Sequence, residues 1–280
     1  MQDISKLSKS DKEEIAGYIK RDNLLSVNRN VKEVHPKSSF YVKYGKRACD
    51  IIISLAALIV SFPVNLLIGI VTFFDVGRPI FFVQQRIGKD GKPFKIIKFR
   101  NMTNETDENG ELLPPAQRVT KWGKFVRRTS LDELLNFWSV FNGSMSIVGP
   151  RPLLDSYAER FNDRHKQRYA LRPGLECPSL EKEGNVMSWQ ERLENDIWYV
   201  ENCSLWTDIK LCFRIVQVAL DRKATATRAN ADQGGFLGYD LEGNVIYTKS
   251  VPDHFVEEFC QKHGFTDLQE AVTLRLQNSR

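Results

Sequence analysis

Two adjacent carboxylates, Asp132 and Glu133, are the residues of this chain best suited to chemistry. They lie in the stretch from Arg127 to Pro152, which carries arginines on both sides of the pair. The helix predicted to start there would present free N–H groups and the positive end of its dipole, and both favour a bound phosphate. Carboxylates beside an anion site can hold a divalent cation or attack phosphorus.

Apolar residues around the pair recur at helical spacing, which predicts the helix. Rotation by about 100° per residue places both carboxylates off the apolar stripe. A purely structural interpretation also fits, because Ser130 and Glu133 have the spacing of a capping box and Asp132 would complement the helix dipole. The pair alone leaves both interpretations open. The stripe consists of Leu131, Leu134, Leu135 and Trp138.

The run from Ile51 to Phe74 contains no charged residue and is long enough to cross a bilayer as a helix of about 36 Å. Ser61, Pro63 and Asn65 interrupt it near the middle. Because proline removes a backbone donor and clashes with the preceding turn, the helix is predicted to kink or break there. Two legs of about a dozen residues would each reach about 18 Å, roughly halfway into the hydrocarbon.

Basic residues flank this run on both sides, so both of its ends look cytoplasmic. A re-entrant hairpin that dips into one leaflet is therefore favoured over a kinked full span, with Ser61 and Asn65 satisfying the backbone groups freed at the break. A buried core helix is the third alternative. The flanking residues are Lys37, Lys43, Lys46 and Arg47 before the run, and Arg78, Arg86, Lys89 and Lys92 after it.

The charge distribution and the composition indicate which ligands the chain could bind. The net charge of the 280 residues is +5, but the stretch from Arg78 to Arg128 holds twelve Lys or Arg against five Asp or Glu. Such a basic face beside a membrane segment suits anionic headgroups, phosphate substrates or both, a solvated face being the alternative. The five cysteines form no C-x-x-C pair and the four histidines show no ligand spacing, so any metal is expected to have oxygen ligands.

The pattern predicts an α+β, mostly helical protein in four parts. Residues 1–42 form a polar extension with a short helix over Ser10–Arg21, and residues 43–77 form the membrane hairpin. Residues 78–221 form a small cytoplasmic catalytic core and residues 222–280 a C-terminal extension, for which oligomerisation and partner docking are both open. In the first part, Ser10 and Glu13 have the spacing of a capping box. The core is predicted to contain two strands in Pro79–Met102 joined by the turn Gly88–Gly91, a loop over Asn101–Pro115, a helix over Leu153–Tyr169 and a helical stretch over Trp189–Leu220, whose aromatic residues either form core or lie at a membrane interface. The last part is predicted to contain a linker over Arg222–Gly235, a hairpin over Phe236–Tyr247 and two closing helices, the last from Thr266.

Several short motifs follow one another in order between Lys43 and Leu220. They are Lys46-Arg47 with Asp50, then Gln85-Arg86-Ile87-Gly88, Lys98-Phe99-Arg100-Asn101-Met102, Arg127 to Glu133, and Val148-Gly-Pro-Arg-Pro152. In this order and spacing they make the chain resemble the monotopic polyprenyl-phosphate phosphoglycosyl transferases, a family of bacterial sugar transferases.

The resemblance implies an enzyme that transfers a phospho-sugar from a nucleotide diphosphate sugar, usually UDP-linked, to a polyprenyl phosphate, releasing UMP. It implies Asp132 as nucleophile and Glu133 as ligand of a Mg²⁺ ion, at the cytoplasmic face of a bacterial inner membrane. Such a reaction begins the assembly of a membrane glycan. A direct displacement, in which Asp132 acts as a base or a second metal ligand, is the alternative mechanism.

Basic residues in the motifs are candidates for binding the substrate. Arg151 lies between two prolines and suits a phosphate or nucleotide clamp, because arginine binds phosphate through two parallel hydrogen bonds. For the other candidates, plain surface charge is the alternative. They are Arg86, Lys98, Arg100 and Arg128.

The chain departs from the family at two places. Phe62 separates Ser61 from Pro63, which the family has side by side. The segment Leu175–Ser179 stands where the family has Thr-Gly, so the family loop gives no guide to the sugar. A non-enzymatic, membrane-anchored scaffold or nucleic-acid-binding protein is the remaining alternative, although no nucleic-acid-binding motif is recognised.

Overall fold

The computed structural model describes residues 1–107, 110, 112–113, 115–180, 187–220 and 234–277. Within these residues the protein is mostly helical with small two-stranded sheets, which confirms the predicted α+β class. The helices are α1 Lys9–Asn30, α2 Lys46–Val76, α3 Pro115–Arg118, α4 Lys121–Arg128, α5 Asn136–Phe141, α6 Asp155–Ala158, α7 Asp163–Lys166, α8 Trp189–Asn202, α9 Leu205–Leu220, α10 Asp253–His263 and α11 Leu268–Gln277. The strands are β1 Phe81–Ile87, β2 Pro93–Phe99, β3 Ser146–Val148, β4 Gly174–Glu176, β5 Phe236–Tyr239 and β6 Val245–Tyr247.

Strands β1 and β2 form the predicted antiparallel hairpin, with Phe81 opposite Phe99 and Ile87 opposite Pro93. A 3₁₀ turn, Lys89–Gly91, joins them, and Gly91 has a φ of 71°, a conformation that glycine adopts without a steric penalty. The turn signal in the sequence therefore located this hairpin correctly. The loop predicted after it lies partly outside the described residues, and its described part returns through bridges between Met102 and Val119 and between Thr106 and Leu112.

A parallel pair, β3 and β4, holds the turn that contains Arg151. Gly174 N donates to Pro150 O at 3.0 Å, and a Cβ added at Gly174 would lie 2.1 Å from Gly149 N. Only glycine allows the two backbones to approach this closely. The Pro150–Pro152 turn is therefore fixed against the sheet at its base.

Helix α2 runs without interruption from Lys46 to Val76, with Pro63 inside it. The structure thus does not divide the segment into two helices at Ser61 and Pro63 as predicted. Proline removes a single backbone donor, and all other turns keep theirs. Asn65 Nδ2 donates to Ser61 Oγ at 3.1 Å, so the two polar side chains beside the proline bond each other. The re-entrant hairpin stays a prediction.

Most of the α2 surface is apolar and uncovered. The segment Tyr41–Val76 is long and apolar enough to cross a membrane by length and composition, and little of its most apolar window is buried. Phe62 is 66% exposed and Phe74 is 81% exposed. The buried residues of α2 recur on one face, so the alternative of a buried core helix does not hold. They are Lys46, Asp50, Ser54, Ser61, Ile68 and Thr72.

Both ends of α2 are bonded to the rest of the protein. At the first end, Arg47 donates to Val140 O at 2.6 Å and to Phe141 O at 2.7 Å. At the other end, Thr120 Oγ1 donates to Asp75 Oδ2 at 2.6 Å. The segment between these attachments carries the exposed apolar side chains.

The N-terminal helix is longer than predicted and starts earlier. Helix α1 begins at Lys9 because Ser8, not Ser10, accepts a bond from Asp11 N at 3.1 Å, so the predicted capping box at Ser10 is wrong. It continues past Arg21 to Asn30, since Val27 packs with Phe236 and Tyr239 of the C-terminal extension. Residues of both ends form one core, namely Ile4, Leu7, Ile15 and Ile19 with Leu237, Ile246, Val251, Phe255 and Phe259.

The remaining helical predictions hold in part. The helix predicted over Leu153–Tyr169 is α6, α7 and a 3₁₀ turn, because Asn162 caps a new helix by accepting from His165 N at 2.8 Å. The stretch Trp189–Leu220 is two helices, α8 and α9. Of its aromatic residues, Tyr199 is fully buried in the core, whereas Trp206 is 65% exposed, and a place at the membrane interface stays a prediction for the exposed ones. The predicted hairpin and the two closing helices are present as β5–β6, α10 and α11, and the division of the chain into four parts stays a prediction. Residues 221–233, most of the predicted linker, lie outside the described part.

Candidate active site

A cavity of about 680 Å³ lies between the β1–β2 hairpin, the chain that follows β2 and the connection from α4 to α5. Asp132 and Glu133 line it together with basic and apolar side chains. This combination suits a ligand with an anionic part and a larger organic part. The lining residues that bear on the chemistry are Lys98, Asn101, Arg118, Arg127, Asp132 and Glu133.

The carboxylate pair lies in a 3₁₀ turn, Leu131–Glu133, and not in the first turn of an α-helix. Ser130 has a φ of 54° and makes no side-chain capping bond, so the capping-box interpretation is wrong. The Glu133 side chain bonds residues of other segments instead. The predicted leucines do pack inward, against the cluster of Ile68, Phe99 and Val126, which holds the turn at the cavity wall.

Glu133 is held by two cations. Lys98 Nζ lies 2.6 Å from Glu133 Oε1, and Arg151 Nη2 lies 2.8 Å from Oε1 and 3.1 Å from Oε2. Arg151 also donates through Nη1 to Glu176 Oε2 at 3.2 Å. Burial raises the pKa of Glu133, but Arg151 and Lys98 outweigh it, and the pKa lies below the ordinary value. Glu133 is therefore a fixed negative charge.

Asp132 has a different environment from its neighbour. It is 6% exposed, and Asn101 Nδ2 donates to its Oδ2 in a long bond of 3.3 Å. Burial and then the charge of Glu133 raise the pKa of Asp132 above its ordinary value, while Lys98 and Arg127 lower it in part. A poorly solvated, weakly bonded carboxylate of this kind is a better nucleophile than one held in a salt bridge.

The structure brings some of the predicted basic residues to the pair and places others elsewhere. Lys98 and Arg151 meet at Glu133. Arg100 lines the cavity, but its guanidinium bonds the backbone carbonyls at the end of α2 and just beyond it, at Val76, Gly77 and Arg78. Arg86 donates to Gln84 Oε1 at 2.7 Å. Burial and then repulsion by Arg151 lower the pKa of Arg86.

Further residues of the site, Arg118 among them, were missed in the sequence. Arg127 lines the cavity, whereas Arg128, the predicted candidate, is exposed at the end of α4 and does not line it. Asn101 stands in the same motif as Lys98, which could have pointed to it. Glu176 lies in the segment where the chain departs from the family, so the resemblance gave no signal for it.

The protein itself supplies only part of the oxygen ligands that a hard cation needs. Among the described residues no group of three or more His, Cys, Asp or Glu is arranged to hold a metal. Asp132 and Glu133 supply carboxylate oxygens, and Mg²⁺ is commonly held by one or two carboxylates with water and substrate phosphates. The pair therefore suits a Mg²⁺ ion that arrives with a phosphate-bearing ligand.

Comparisons with known proteins show which family the chain is similar to. Residues 41–222 match the family described as bacterial sugar transferase.

Individual relatives match a large part of the chain. The chain is 38% identical over 174 residues to the uncharacterized sugar transferase EpsL of Bacillus subtilis, and the aligned residues cover 62% of this chain and 86% of EpsL. It is 38% identical over 189 residues to the UDP-glucose:undecaprenyl-phosphate glucose-1-phosphate transferase of Klebsiella pneumoniae, which covers 61% of this chain and 39% of that protein. For the Escherichia coli protein of the same name, the identity is 36% over 197 residues, covering 64% and 41%. The chain thus spans about two fifths of the length of these last two relatives.

Proposed function

This chain belongs to the bacterial sugar transferase family, and on that premise we propose that it transfers a phospho-sugar from a UDP-linked sugar to a polyprenyl phosphate and releases UMP. The proposal rests above all on the adjacent carboxylates Asp132 and Glu133, which line one cavity and differ in environment. Two similar proteins are named for the use of UDP-glucose and undecaprenyl phosphate, which supports substrates of these two classes.

In the proposed first step, a carboxylate oxygen of Asp132 attacks the phosphorus that bears the sugar. A bond from the Asp132 oxygen to phosphorus forms, and the bond from that phosphorus to the oxygen of UMP breaks, so UMP leaves with the electron pair. In the second step an oxygen of the polyprenyl phosphate attacks the same phosphorus, which frees the Asp132 carboxylate and yields the polyprenyl diphosphosugar. Two displacements with a covalent intermediate replace one difficult transfer.

The cations around the pair oppose the repulsion between the nucleophile and its substrate. A diphosphate carries dense negative charge, and positioned cations stabilise the charge that develops as it is attacked. Arg151 and Lys98 already neutralise Glu133, and Arg127 and Arg118 line the same cavity. Glu133, with Asp132 beside it, would hold Mg²⁺, which when bound would neutralise phosphate charge and polarise the bond to be broken.

We place the reaction at the cytoplasmic face of a bacterial inner membrane. The basic residues at both ends of α2 and the attachment of both ends to the same body favour a helix that dips into one leaflet over one that crosses. The cavity that holds Asp132 adjoins the end of α2, because Arg100 lines the cavity and also bonds Val76 O. A lipid phosphate at the membrane surface would then reach the intermediate without leaving the bilayer.

Release of UMP tests this function. The full-length protein in detergent or nanodiscs is mixed with undecaprenyl phosphate, Mg²⁺ and one of a panel of UDP-sugars, and UMP is measured. We expect sustained UMP release from at least one sugar, dependent on the lipid phosphate and lost when Mg²⁺ is chelated. If no UDP-sugar in the panel yields UMP with the folded protein, the proposal is wrong.

Two neighbouring arginines give a matched test of the site. Because Arg127 lowers the pKa of Asp132, replacing it with glutamine should raise that pKa further. Activity requires the ionised carboxylate, so the acid limb of kcat/KM should move to higher pH in Arg127→Gln. Arg128→Gln removes the same charge one residue away, outside the cavity, and should leave the limb in place. If the acid limb of kcat/KM moved equally in the two variants, the limb would not be set by the ionisation of Asp132 in the cavity.

A further inference from the structure

A second cavity, of about 290 Å³, lies at the start of α2 and shares no lining residue with the cavity that holds Asp132. Its lining is strongly basic and comes from segments far apart in the sequence. Five cationic residues and one carboxylate line it, namely Lys37, Lys43, Lys46, Lys89, Arg172 and Asp50.

Two of these charges are satisfied within the protein. Lys46 Nζ lies 2.6 Å from Asp208 Oδ2. Asp50 is 3% exposed and its Oδ1 accepts from Ser146 Oγ and from Ile147 N, each at 2.9 Å. Lys46 is therefore neutralised by Asp208, and Asp50 is a buried carboxylate in the cavity wall opposed by the four other cations of the lining.

The other cations are uncompensated. Lys37, Lys43 and Lys89 are exposed, and within the described part of the chain neither they nor Arg172 form an ion pair. Arg172 donates through Nε to Gly143 O at 2.9 Å, which holds its guanidinium at the cavity. A concave site lined by one sign of charge concentrates counter-ions, so this cavity attracts an anion.

The position of this second cavity, at the start of α2, indicates the source of the anion. Phe40 is 80% exposed and Tyr44 is 54% exposed, and their ring centroids lie 5.4 Å apart. Aromatic side chains of this kind lie at the headgroup level of a bilayer. Lys43 is adjacent, with Nζ 5.2 Å from the Tyr44 ring, and the exposed apolar run begins a few residues later at Ile51. The cavity is thus level with lipid phosphates if α2 enters the membrane.

We propose that this cavity binds the headgroup of an anionic phospholipid of the surrounding bilayer, at a site separate from the one for the substrates. Lys37, Lys43, Lys89 and Arg172 donate to the lipid phosphate, and the acyl chains follow the apolar surface of α2. The proposal rests on the membrane placement of α2 given under the proposed function, and it does not depend on the transfer chemistry. A bound lipid would fix the height of the protein at the membrane surface.

Lipid retention in native mass spectrometry tests the proposal. The full-length protein is extracted from nanodiscs that contain phosphatidylglycerol and phosphatidylcholine, with no nucleotide sugar present, and the bound lipids are counted. We expect one phosphatidylglycerol to be retained in preference to phosphatidylcholine. Lys43→Gln/Lys89→Gln should weaken that retention by about tenfold or more, since each lysine contributes separately to binding of an anionic lipid.

Lys6→Gln/Lys9→Gln is the matched control, because both residues are exposed, lie at the N-terminal end and do not line the cavity. It should retain the lipid as the unmodified protein does. Equal retention of both lipids, or equal loss in the two double variants, would overturn the proposal. Displacement of the lipid by inorganic phosphate at the same concentration would also overturn it, in favour of a site for free phosphate. UMP release by each variant in micelles of neutral detergent is measured separately, so failure of the transfer chemistry is distinguished from failure of the lipid site.

Discussion

Asp132→Asn should lower the rate of UMP release by about 10³-fold or more without unfolding the protein. The asparagine amide has nearly the shape of the carboxylate but is not a nucleophile toward phosphorus. The side-chain bond that Asp132 accepts from Asn101 is long, so replacing Asp132 removes little that holds the fold. An unchanged thermal unfolding midpoint would show that the loss is chemical.

The covalent step can be observed directly. The unmodified protein, given UDP-sugar and no lipid phosphate, should gain the mass of one phospho-sugar on the peptide that contains Asp132. Asp132→Asn should gain none, while Asp155→Asn, at an exposed position, should behave like the unmodified protein. Loss of turnover in Asp132→Asn together with no adduct on the unmodified protein would favour the direct displacement. Undiminished turnover in Asp132→Asn would remove Asp132 from the mechanism.

Asp196→Ala should destabilise the protein by about 3–5 kcal/mol, because it leaves a buried arginine without its partner. The side chains of Arg168 and Asp196 are 2% and 3% exposed, and Arg168 Nη2 lies 2.6 Å from Asp196 Oδ2. A loss of this size is a large share of the stability of a typical domain. The thermal unfolding midpoint in detergent should fall steeply, and activity should fall with it.

Arg168 also connects this pair to the site, since its Nη2 donates to the backbone carbonyl of Arg151 at 2.8 Å. Replacing both partners with apolar residues, Arg168→Met/Asp196→Leu, should recover most of the stability. It should not recover full activity, because the bond that positions Arg151 is absent. The control is Glu159→Gln, whose exposed pair with Lys20 is worth about 0–1 kcal/mol. Equal unfolding midpoints for Asp196→Ala and Glu159→Gln would contradict the assignment.

Local patterns in the sequence predicted the elements that local forces determine. The turn from Gly88 to Gly91 located the first hairpin, and the spacing of Leu131, Leu134 and Leu135 predicted which side chains are packed inward. The carboxylate pair that the sequence singled out lines the larger cavity, and its catalytic role stays a prediction. In each of these cases the deciding contacts lie within one element or one turn.

Contacts with residues far away in the sequence determine the features that the sequence analysis did not predict. Glu133 has the spacing of a capping residue, but Lys98 and Arg151, 35 and 18 residues away, bind it more strongly than a backbone N–H would. Arg127 lines the cavity and Arg128 does not, and this depends on the rotation of the short helix α4. The length of α1 depends on a partner still further away, since Asn23 Nδ2 bonds Tyr239 O across 216 residues.

The core that helix α1 shares with the C-terminal extension has a consequence for synthesis on the ribosome. Helix α1 emerges before α2, whereas the residues that cover Ile15 and Ile19, such as Leu237 and Phe255, emerge long after α2. Helix α2 emerges in between and is available to the membrane while α1 still lacks its partner. The core is therefore completed only after α2 has been made, and the nascent protein must keep the apolar face of α1 from other chains until Leu237 and Phe255 have emerged.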